Sequence, residues 1–380
     1  MLLKSVFASV VAWVYLIFFR GFFWQKGPIL ERKKPPKCIP DVAIVVPARD
    51  EAESIFESIS SLLKQHYDGK LSVILVDDQS TDGTADIART IDDPHQRLTI
   101  ITSQDRPSGW SGKLWAVHQG AQEALKHINS DGYILLTDAD IIHDPDHLGS
   151  LLTKAREDNL DLVSEMVTLN CISAAERFLV PAFVYFFAML YPFASVANRK
   201  SHIAGAAGGT ILIHRPIFEQ IGGIESIRGA LIDDCTLAAH VKRAGGRLYL
   251  GHSNLAWSVR PYEGMRDIWH MIARTAYVQL RYSPFLLLLT LLGMSLIWFV
   301  PVLSIMLGCK NAKKAGIFAY CLSCLTFLPT LKRFNLSFWR SLPLPVVAAF
   351  YMAATIGSAI NHHRGVGVRW KSRSYTGETT

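Results

Sequence analysis

The stretch Tyr133–Pro145, Tyr-Ile-Leu-Leu-Thr-Asp-Ala-Asp-Ile-Ile-His-Asp-Pro, constrains the fold more than any other. Four apolar or aromatic residues in succession, Tyr133 to Leu136, predict a short strand buried on both faces. That strand runs directly into Asp138-Ala139-Asp140. Two carboxylates one residue apart at the end of a buried strand are costly to place without a cation or strong donors. Hard divalent ions such as Mg²⁺ or Mn²⁺ take oxygen ligands and bridge readily to phosphates. One reading is therefore a metal–diphosphate site at the carboxyl end of a strand, where open α/β sheets place their ligands. The other is a turn, since aspartate is common in turns and Asp144-Pro145 marks one.

The residues on either side predict an α/β domain from Asp41 onward. Val42–Val46 reads as a buried strand ending at Pro47, and Ala48-Arg49-Asp50-Glu51 as a loop. Ile55, Ile59, Leu62 and Leu63 recur at helical spacing, which predicts an amphipathic helix over Ala52–His66. Leu71–Val76 is a second strand, ending in Asp77-Asp78-Gln79-Ser80-Thr81-Asp82-Gly83-Thr84; a helix starts near Thr84, and Leu98–Thr102 is a third strand. This is a strand–helix–strand rhythm with carboxylates at strand ends. Ser108-Gly109-Trp110-Ser111-Gly112-Lys113 resembles a phosphate-binding loop but fails the pattern: Pro107 stands where the first glycine belongs, and Leu114 follows the lysine. A loop lysine beside a diphosphate and a solvated surface lysine both fit Lys113. Further strands are expected at Leu160–Val167 and Thr210–His214, the latter after the small, glycine-rich Ala204–Gly209. Asp233-Asp234 opens a helix that stops at Gly245-Gly246. The helix dipole there favours ionised carboxylates, and one of the two suffices as a cap.

Half of the 380 residues are hydrophobic and only 19% are charged, with a net charge of +7. That excludes a disordered chain and is greasy for a soluble enzyme. No basic helix interleaved with stacking aromatics is present, so the basic balance points to an anionic membrane surface and not to nucleic acid. The cysteines are scattered, and Cys321–Cys324, although spaced CxxC, has no second ligand pair. Residues 1–22 predict an uncleaved membrane anchor, followed by a basic stretch to Lys37 that the positive-inside rule places in the cytoplasm. Phe178–Ala197, rich in aromatics and carrying Pro181 and Pro192, reads as an interfacial segment. Three apolar runs, Phe285–Leu307, Ala315–Leu331 and Leu342–Ile360, predict C-terminal membrane helices within 284–361, ahead of a basic tail at 362–380. The second run is short, and an incomplete span there would allow a cytoplasmic tail.

Taken in order, Val45-Val46-Pro47-Ala48-Arg49-Asp50-Glu51, Val76-Asp77-Asp78-Gln79-Ser80-Thr81-Asp82-Gly83-Thr84, Thr137-Asp138-Ala139-Asp140, Asp233-Asp234 and Gln279-Leu280-Arg281-Tyr282 resemble the inverting glycosyltransferases of family 2, which have a GT-A fold. Gly109-Trp110-Ser111-Gly112-Lys113-Leu114-Trp115-Ala116, Leu190-Tyr191-Pro192-Phe193-Ala194 and Arg228-Gly229-Ala230-Leu231-Ile232-Asp233-Asp234-Cys235 are similar to the hopene-associated members found with bacterial hopanoid genes. The resemblance implies a GT-A domain over 38–283 with a mostly parallel central sheet. It also implies a place in the bacterial cytoplasmic membrane, with the catalytic domain inside.

The resemblance further implies roles. Pro47, Arg49, Glu51, Asp77 and Asp78 would hold the nucleoside of a UDP-sugar. Asp140, with Asp138, would bind a divalent metal ion, Mg²⁺ or Mn²⁺, and Asp138 would also reach the donor. Asp234 would be the catalytic base, with Asp233 beside it. Lys113 and Arg281 would add positive charge at the diphosphate. The processive Gln-x-x-Arg-Trp motif is broken, with Val278 for the first Gln and Tyr282 for Trp, so a single transfer to a lipid acceptor is favoured. A processive polysaccharide synthase and a non-catalytic membrane scaffold that keeps the fold are the rival classes.

Overall fold

The computed structural model describes residues 2–365 and the backbone of the strands Val368–Trp370 and Arg373–Tyr375. Three of the basic tail residues, Arg369, Lys371 and Arg373, thus have side chains outside the described residues. The chain divides into two compact units, one of 28–170, 195–261 and 369–380, the other of 1–27, 171–194 and 262–368. Residues 171–194 and 262–283, expected within the catalytic domain, group instead with the apolar helices.

The first unit is built on one eight-stranded sheet: β1 (Val42–Ala48), β2 (Leu71–Asp77), β3 (Leu98–Thr102), β4 (Tyr133–Leu136), β5 (Ile141–His143), β6 (Leu162–Thr168), β7 (Ile211–His214) and β8 (Leu248–Ser258), in the order β3-β2-β1-β4-β7-β6-β8-β5. The sheet is mixed: its strands run mostly parallel, as expected, with β7 and β5 reversed. β1 pairs in parallel with β2 and β4, but β7 is antiparallel to both β4 and β6, and β5 is antiparallel to β8. An apolar run identifies a buried strand but carries no direction, so the reversals could not be read locally. β1, β2 and β4 are buried along their whole lengths, because their side chains alternate between two covered faces. The order reverses at β1, with β2 on one side and β4 on the other. That topological switch opens a crevice at the carboxyl ends of these strands.

β1 runs two residues further than its apolar core, through Pro47. In parallel pairing alternate residues face opposite neighbours. Val42 N–H donates to Lys70 on the β2 side, whereas Val45 O accepts from Thr137 on the β4 side. Pro47 therefore lacks its N–H on the side where β4 has already ended, and the strand loses nothing. The helix expected over Ala52–His66 is confined to Ile55–Leu63. Its upstream amides are committed elsewhere: Glu51 N–H donates to Thr84 Oγ1 and Ala52 N–H to Asp82 Oδ2, both at 2.9 Å.

The helix Gly112–His127 lies against β1 and β2 on a face of Ala116, Val117, Gly120, Ala121 and Ala124. Gly120 is needed for that approach, since a Cβ there would stand 2.5 Å from Val45 Cγ1 and 2.8 Å from Val76 Cγ2. Gly120→Ala is expected to cost about 1–3 kcal/mol through overpacking. Denaturant unfolding measures it, and a stability equal to wild type would contradict the close contact.

Among the described residues, four helices have the length and composition to cross a membrane: Ala174–Ala197, Pro284–Leu307, Lys310–Arg333 and Leu344–His363. The segment expected to be interfacial is helical despite Pro181, with a capping box at Ser173 and Glu176. A proline frees the carbonyl four residues back. Here that carbonyl, Arg177 O, faces Arg340 Nη1 at 3.5 Å. The helix Pro284–Leu307 likewise continues past Pro301. The helix passes the proline through a π-helical turn, Ser295–Phe299, and the freed carbonyl of Ile297 accepts from Trp13 Nε1 at 3.1 Å. Trp13, on the helix Leu2–Phe18, packs edge-on against Trp298. The short run at Ala315–Leu331 belongs to a helix of 24 residues, Lys310–Arg333, about 36 Å long. Length therefore gives no reason for an incomplete span.

Candidate active site

Lys113 lies in the first turn of the helix Gly112–His127, not in a loop, because Ser111 caps that helix by accepting from Leu114 N–H. A cation is unfavourable at this end of a helix dipole. Two carboxylates compensate: Lys113 Nζ lies 2.9 Å from Asp138 Oδ1 and 3.3 Å from Asp233 Oδ2. Burial works against the charge of Lys113, but Asp138, Asp233 and Asp234 outweigh it and hold the amine protonated, with its pKa raised. Asp138 is pushed upward, first by burial and then by Asp140, against the pull of Lys113.

Asp233 and Asp234 open the helix Asp233–Arg243. Asp234 Oδ1 accepts from Cys235 N–H at 2.7 Å and Oδ2 from Gly208 N–H at 3.0 Å. Burial, and then the neighbouring Asp233, nevertheless push the Asp234 carboxyl up to about 6. Gly208 is the floor on which these groups converge. A Cβ there would lie 3.6 Å from Lys113 Nζ, 3.7 Å from Asp234 Oδ2 and 3.8 Å from Asp138 Oδ2. A small open cleft adjoins it, lined by Pro47, Lys113, Asp138, Asp233 and Asp234 and by the apolar Ile224, Ile227 and Leu237.

The remaining expected residues are placed differently. Asp140 accepts from Arg260 Nε at 3.0 Å and from Ser258 Oγ at 3.2 Å. Arg260 also holds Glu51 Oε1 through Nη2 at 2.6 Å. Sequence reasoning missed Arg260: it follows β8 in Trp257-Ser-Val-Arg-Pro-Tyr, where no spacing singles it out. Arg49 and Asp78 are buried, Asp78 being 1% exposed, and they pair with each other at 3.3 Å, bracing the ends of β1 and β2. Asp77 is the last residue of β2. Its Oδ1 is buried without a hydrogen-bond partner among the described residues. Arg281 falls in the other unit, just past the helix Met265–Gln279. It and Tyr282 adopt left-handed backbone at φ 51° and 54°.

The described residues include no preformed cluster of three or more metal-ligating side chains. They do include the carboxylates Glu51, Asp138, Asp140, Asp233 and Asp234, gathered near Lys113 and Arg260. That set suits a Mg²⁺- or Mn²⁺-type ion, which takes one or two carboxylates and completes its shell with substrate phosphates and water.

Behind the strand end lies a buried relay that sequence reasoning also missed. Thr137 Oγ1 donates to Gly209 O at 2.8 Å, so it accepts from His143 Nε2 at 3.0 Å. His143 Nδ1 is then the acceptor for His147 Nδ1–H at 2.8 Å, and His147 Nε2 meets Glu165 Oε2 at 2.8 Å. Burial and the adjacent His147 keep His143 neutral, its pKa well below the ordinary value. The relay ties Thr137, which follows β4 and precedes Asp138, to β5 and β6. Glu165→Leu would leave His147 buried without its partner and is expected to cost about 3 kcal/mol. A thermal midpoint equal to wild type would show that the relay does not hold the strand ends.

The family model described as "Glycosyl transferase family group 2" matches residues 133–353, and that described as "Glycosyl transferase family 2" matches 43–222. The chain belongs to glycosyltransferase family 2. The relatives of this family 2 chain include the probable glycosyltransferase YdaM of Bacillus subtilis (strain 168), 23% identical over 71% of this chain and 65% of that protein. They also include the 4,4'-diaponeurosporenoate glycosyltransferase of Staphylococcus haemolyticus (strain JCSC1435), 25% identical over 35% of this chain and 32% of that one. The family 2 chain thus spans less than two thirds of the length of these curated relatives. Among solved structures it is similar to the mannosyltransferase PcManGT from Pyrobaculum calidifontis in complex with GDP-Man and Mn²⁺. That match has a TM-score of 0.55 at 19% identity, over 94% of this chain and 99% of that one. The shared fold is the GT-A-like α/β fold, here with a mixed sheet.

Proposed function

We propose that the protein is a membrane-bound inverting glycosyltransferase that moves a sugar from a nucleoside-diphosphate sugar, a UDP-sugar in this reading, to the hydroxyl of a lipid acceptor such as a hopanoid. The observation that carries the proposal is the convergence of Lys113, Asp138 and Asp234 on Gly208, at the switch point of a family 2 sheet. Asp234 is the general base. Each of its oxygens is anchored by one backbone N–H, which fixes the carboxylate while leaving lone pairs to accept the acceptor proton. Deprotonation at oxygen as it attacks the anomeric carbon from the face opposite the diphosphate inverts the configuration, and no covalent enzyme intermediate is required. Lys113 places a fixed positive charge where the diphosphate departs. Asp77, with its unpartnered oxygen, and Pro47 contribute to holding the nucleoside. Asp140, with Asp138, would hold a divalent ion, whose chemistry is to neutralise the leaving diphosphate. The Mn²⁺ named with PcManGT is in keeping with this.

The four apolar helices support attachment to a bilayer. On Pro284–Leu307 the side chains of Phe285, Leu288, Leu289 and Leu292 are more than half exposed, an apolar surface suited to lipid. The name of the diaponeurosporenoate glycosyltransferase supports a non-sugar acceptor, and the broken Val278–Tyr282 motif supports single transfer. The basic stretch after residue 20 supports a cytoplasmic catalytic unit, and the likeness to members found with bacterial hopanoid genes supports the bacterial cytoplasmic membrane.

The test is direct. The full chain in nanodiscs, given UDP- and GDP-sugars and a lipid extract, is expected to yield a singly glycosylated lipid by mass spectrometry, and EDTA is expected to stop the reaction. The same lipid should vanish from cells that lack the gene. Polymeric product would favour the synthase reading. Absence of both nucleotide-sugar binding and turnover would favour the scaffold.

A further inference from the structure

The charge arrangement at Asp140 differs from that of a waiting metal site, because the protein supplies its own cation there. Arg260 Nε lies 3.0 Å from Asp140 Oδ2, and Arg260 Nη2 lies 2.6 Å from Glu51 Oε1. The two carboxylates come from the ends of different strands, β4 and β1, and their side chains are only 14% and 12% exposed. Like charges so placed repel unless a cation lies between them. One planar guanidinium bridges both, a task for which a lysine ammonium is poorly shaped.

The backbone around Arg260 is fixed: Val259 N–H donates to Asp140 O at 2.9 Å, and Ser258 pairs with Ile141 across β8 and β5. The side chain is not confined in the same way, being 41% exposed. A moored backbone thus carries a partly exposed side chain held by two carboxylates. A metal ion on Asp140 would compete for the carboxylate that Arg260 occupies and would repel the guanidinium at close range.

We propose that Arg260 is a displaceable counter-ion. In the donor-free protein it neutralises Asp140 and Glu51, and it gives up Asp140 when a divalent ion arrives with the donor. Its freed guanidinium then pairs with the donor diphosphate, which it suits as a bidentate phosphate ligand. Arg260 thereby couples metal binding to nucleotide binding: metal alone must displace it, whereas metal with a diphosphate gives it a new partner. The inference rests on the reading of Asp140 as the metal-holding residue.

Mn²⁺ binding to the detergent-solubilised full chain, followed by the electron paramagnetic resonance signal of free Mn²⁺ with and without UDP or GDP, tests it without reference to activity. Without nucleotide, Arg260→Gln is expected to bind Mn²⁺ about tenfold more tightly than wild type, within the usual range of coupling between sites. The increase in Mn²⁺ affinity on adding nucleotide is expected to shrink by a similar factor. Arg260→Lys, which reaches one carboxylate only, should shift both in the same direction and by less, and it keeps the test available if the glutamine variant does not fold. Equal nucleotide-free affinities in the variants and wild type, or an unchanged nucleotide effect, would overturn the proposal. Asp140→Asn separates the two levels. If it retains wild-type Mn²⁺ affinity with nucleotide present, the metal reading fails. If it loses Mn²⁺ while the Arg260 variants match wild type, only the counter-ion role fails.

Discussion

Asp234→Asn is expected to lower transfer by about 10²–10⁴-fold, the usual contribution of a general base, while donor binding is kept. Asparagine preserves the shape of the side chain and an oxygen for the amide of Gly208 or Cys235, but it cannot take a proton. The pH profile adds a second readout. With its pKa pushed up to about 6 by burial and by Asp233, the Asp234 carboxyl is protonated below that pH and cannot act as base. The rate is therefore expected to fall about tenfold per pH unit below 6 and to be flat above it. That acid limb should be absent from the residual activity of Asp234→Asn. Asp233→Asn should be milder and should move the limb to lower pH, since Asp233 is one of the groups that raise the Asp234 pKa. A dead Asp233→Asn beside a nearly normal Asp234→Asn would shift the base assignment by one residue.

Lys113→Met is expected to lower kcat by about 10²–10³-fold, as for loss of one preorganised electrostatic donor, and to weaken nucleotide-sugar binding. The expectation comes from its two carboxylate contacts, Asp138 at 2.9 Å and Asp233 at 3.3 Å. Without the ammonium, Asp138, Asp233 and Asp234 face one another uncompensated, and each resists ionisation more strongly. Their charged forms then cost stability at neutral pH, and that cost is relieved as the pH falls and the carboxyls take up protons. The variant should thus melt below wild type at pH 7.5, with the gap narrowing toward pH 5. Steady-state kinetics and thermal melting at the two pH values read both effects. An unchanged kcat would remove Lys113 from the chemistry and leave it a structural counter-ion.

Much of the site could be read in advance because carboxylates at the ends of buried strands are conspicuous. Asp77, Asp138 and Asp140 follow apolar runs closely, and Asp233-Asp234 precedes a helix. The local pattern did not reveal how each charge is balanced. Lys113 was compatible with a surface position until the helix Gly112–His127 was seen to begin at Ser111 and carry it to Asp138. Arg49 and Asp78, expected beside the nucleoside, are buried and pair with each other. Arg260 carried no motif, and its partners lie 120 and 209 positions away. The His143–His147–Glu165 relay was hidden for the same reason, since its members sit on three elements. In the apolar helices, Pro181 suggested an interruption, and Pro301 stands inside a helix too. The second is absorbed because Trp13, nearly three hundred residues away in the chain, accommodates the freed carbonyl.

The sequence by itself determined the buried strands, the carboxylates at their ends, the apolar helices and the family. These depend on short-range patterns of polarity and on residue order, which a linear reading preserves. The tertiary structure alone decided the antiparallel placement of β7 and β5, the grouping of 171–194 and 262–283 with the apolar helices, and the pairing of each active-site carboxylate. Strand direction and ion pairing are set by which distant segments come to lie side by side. A carboxylate takes whichever cation the fold brings within about 3 Å, and only the folded chain specifies which cation that is.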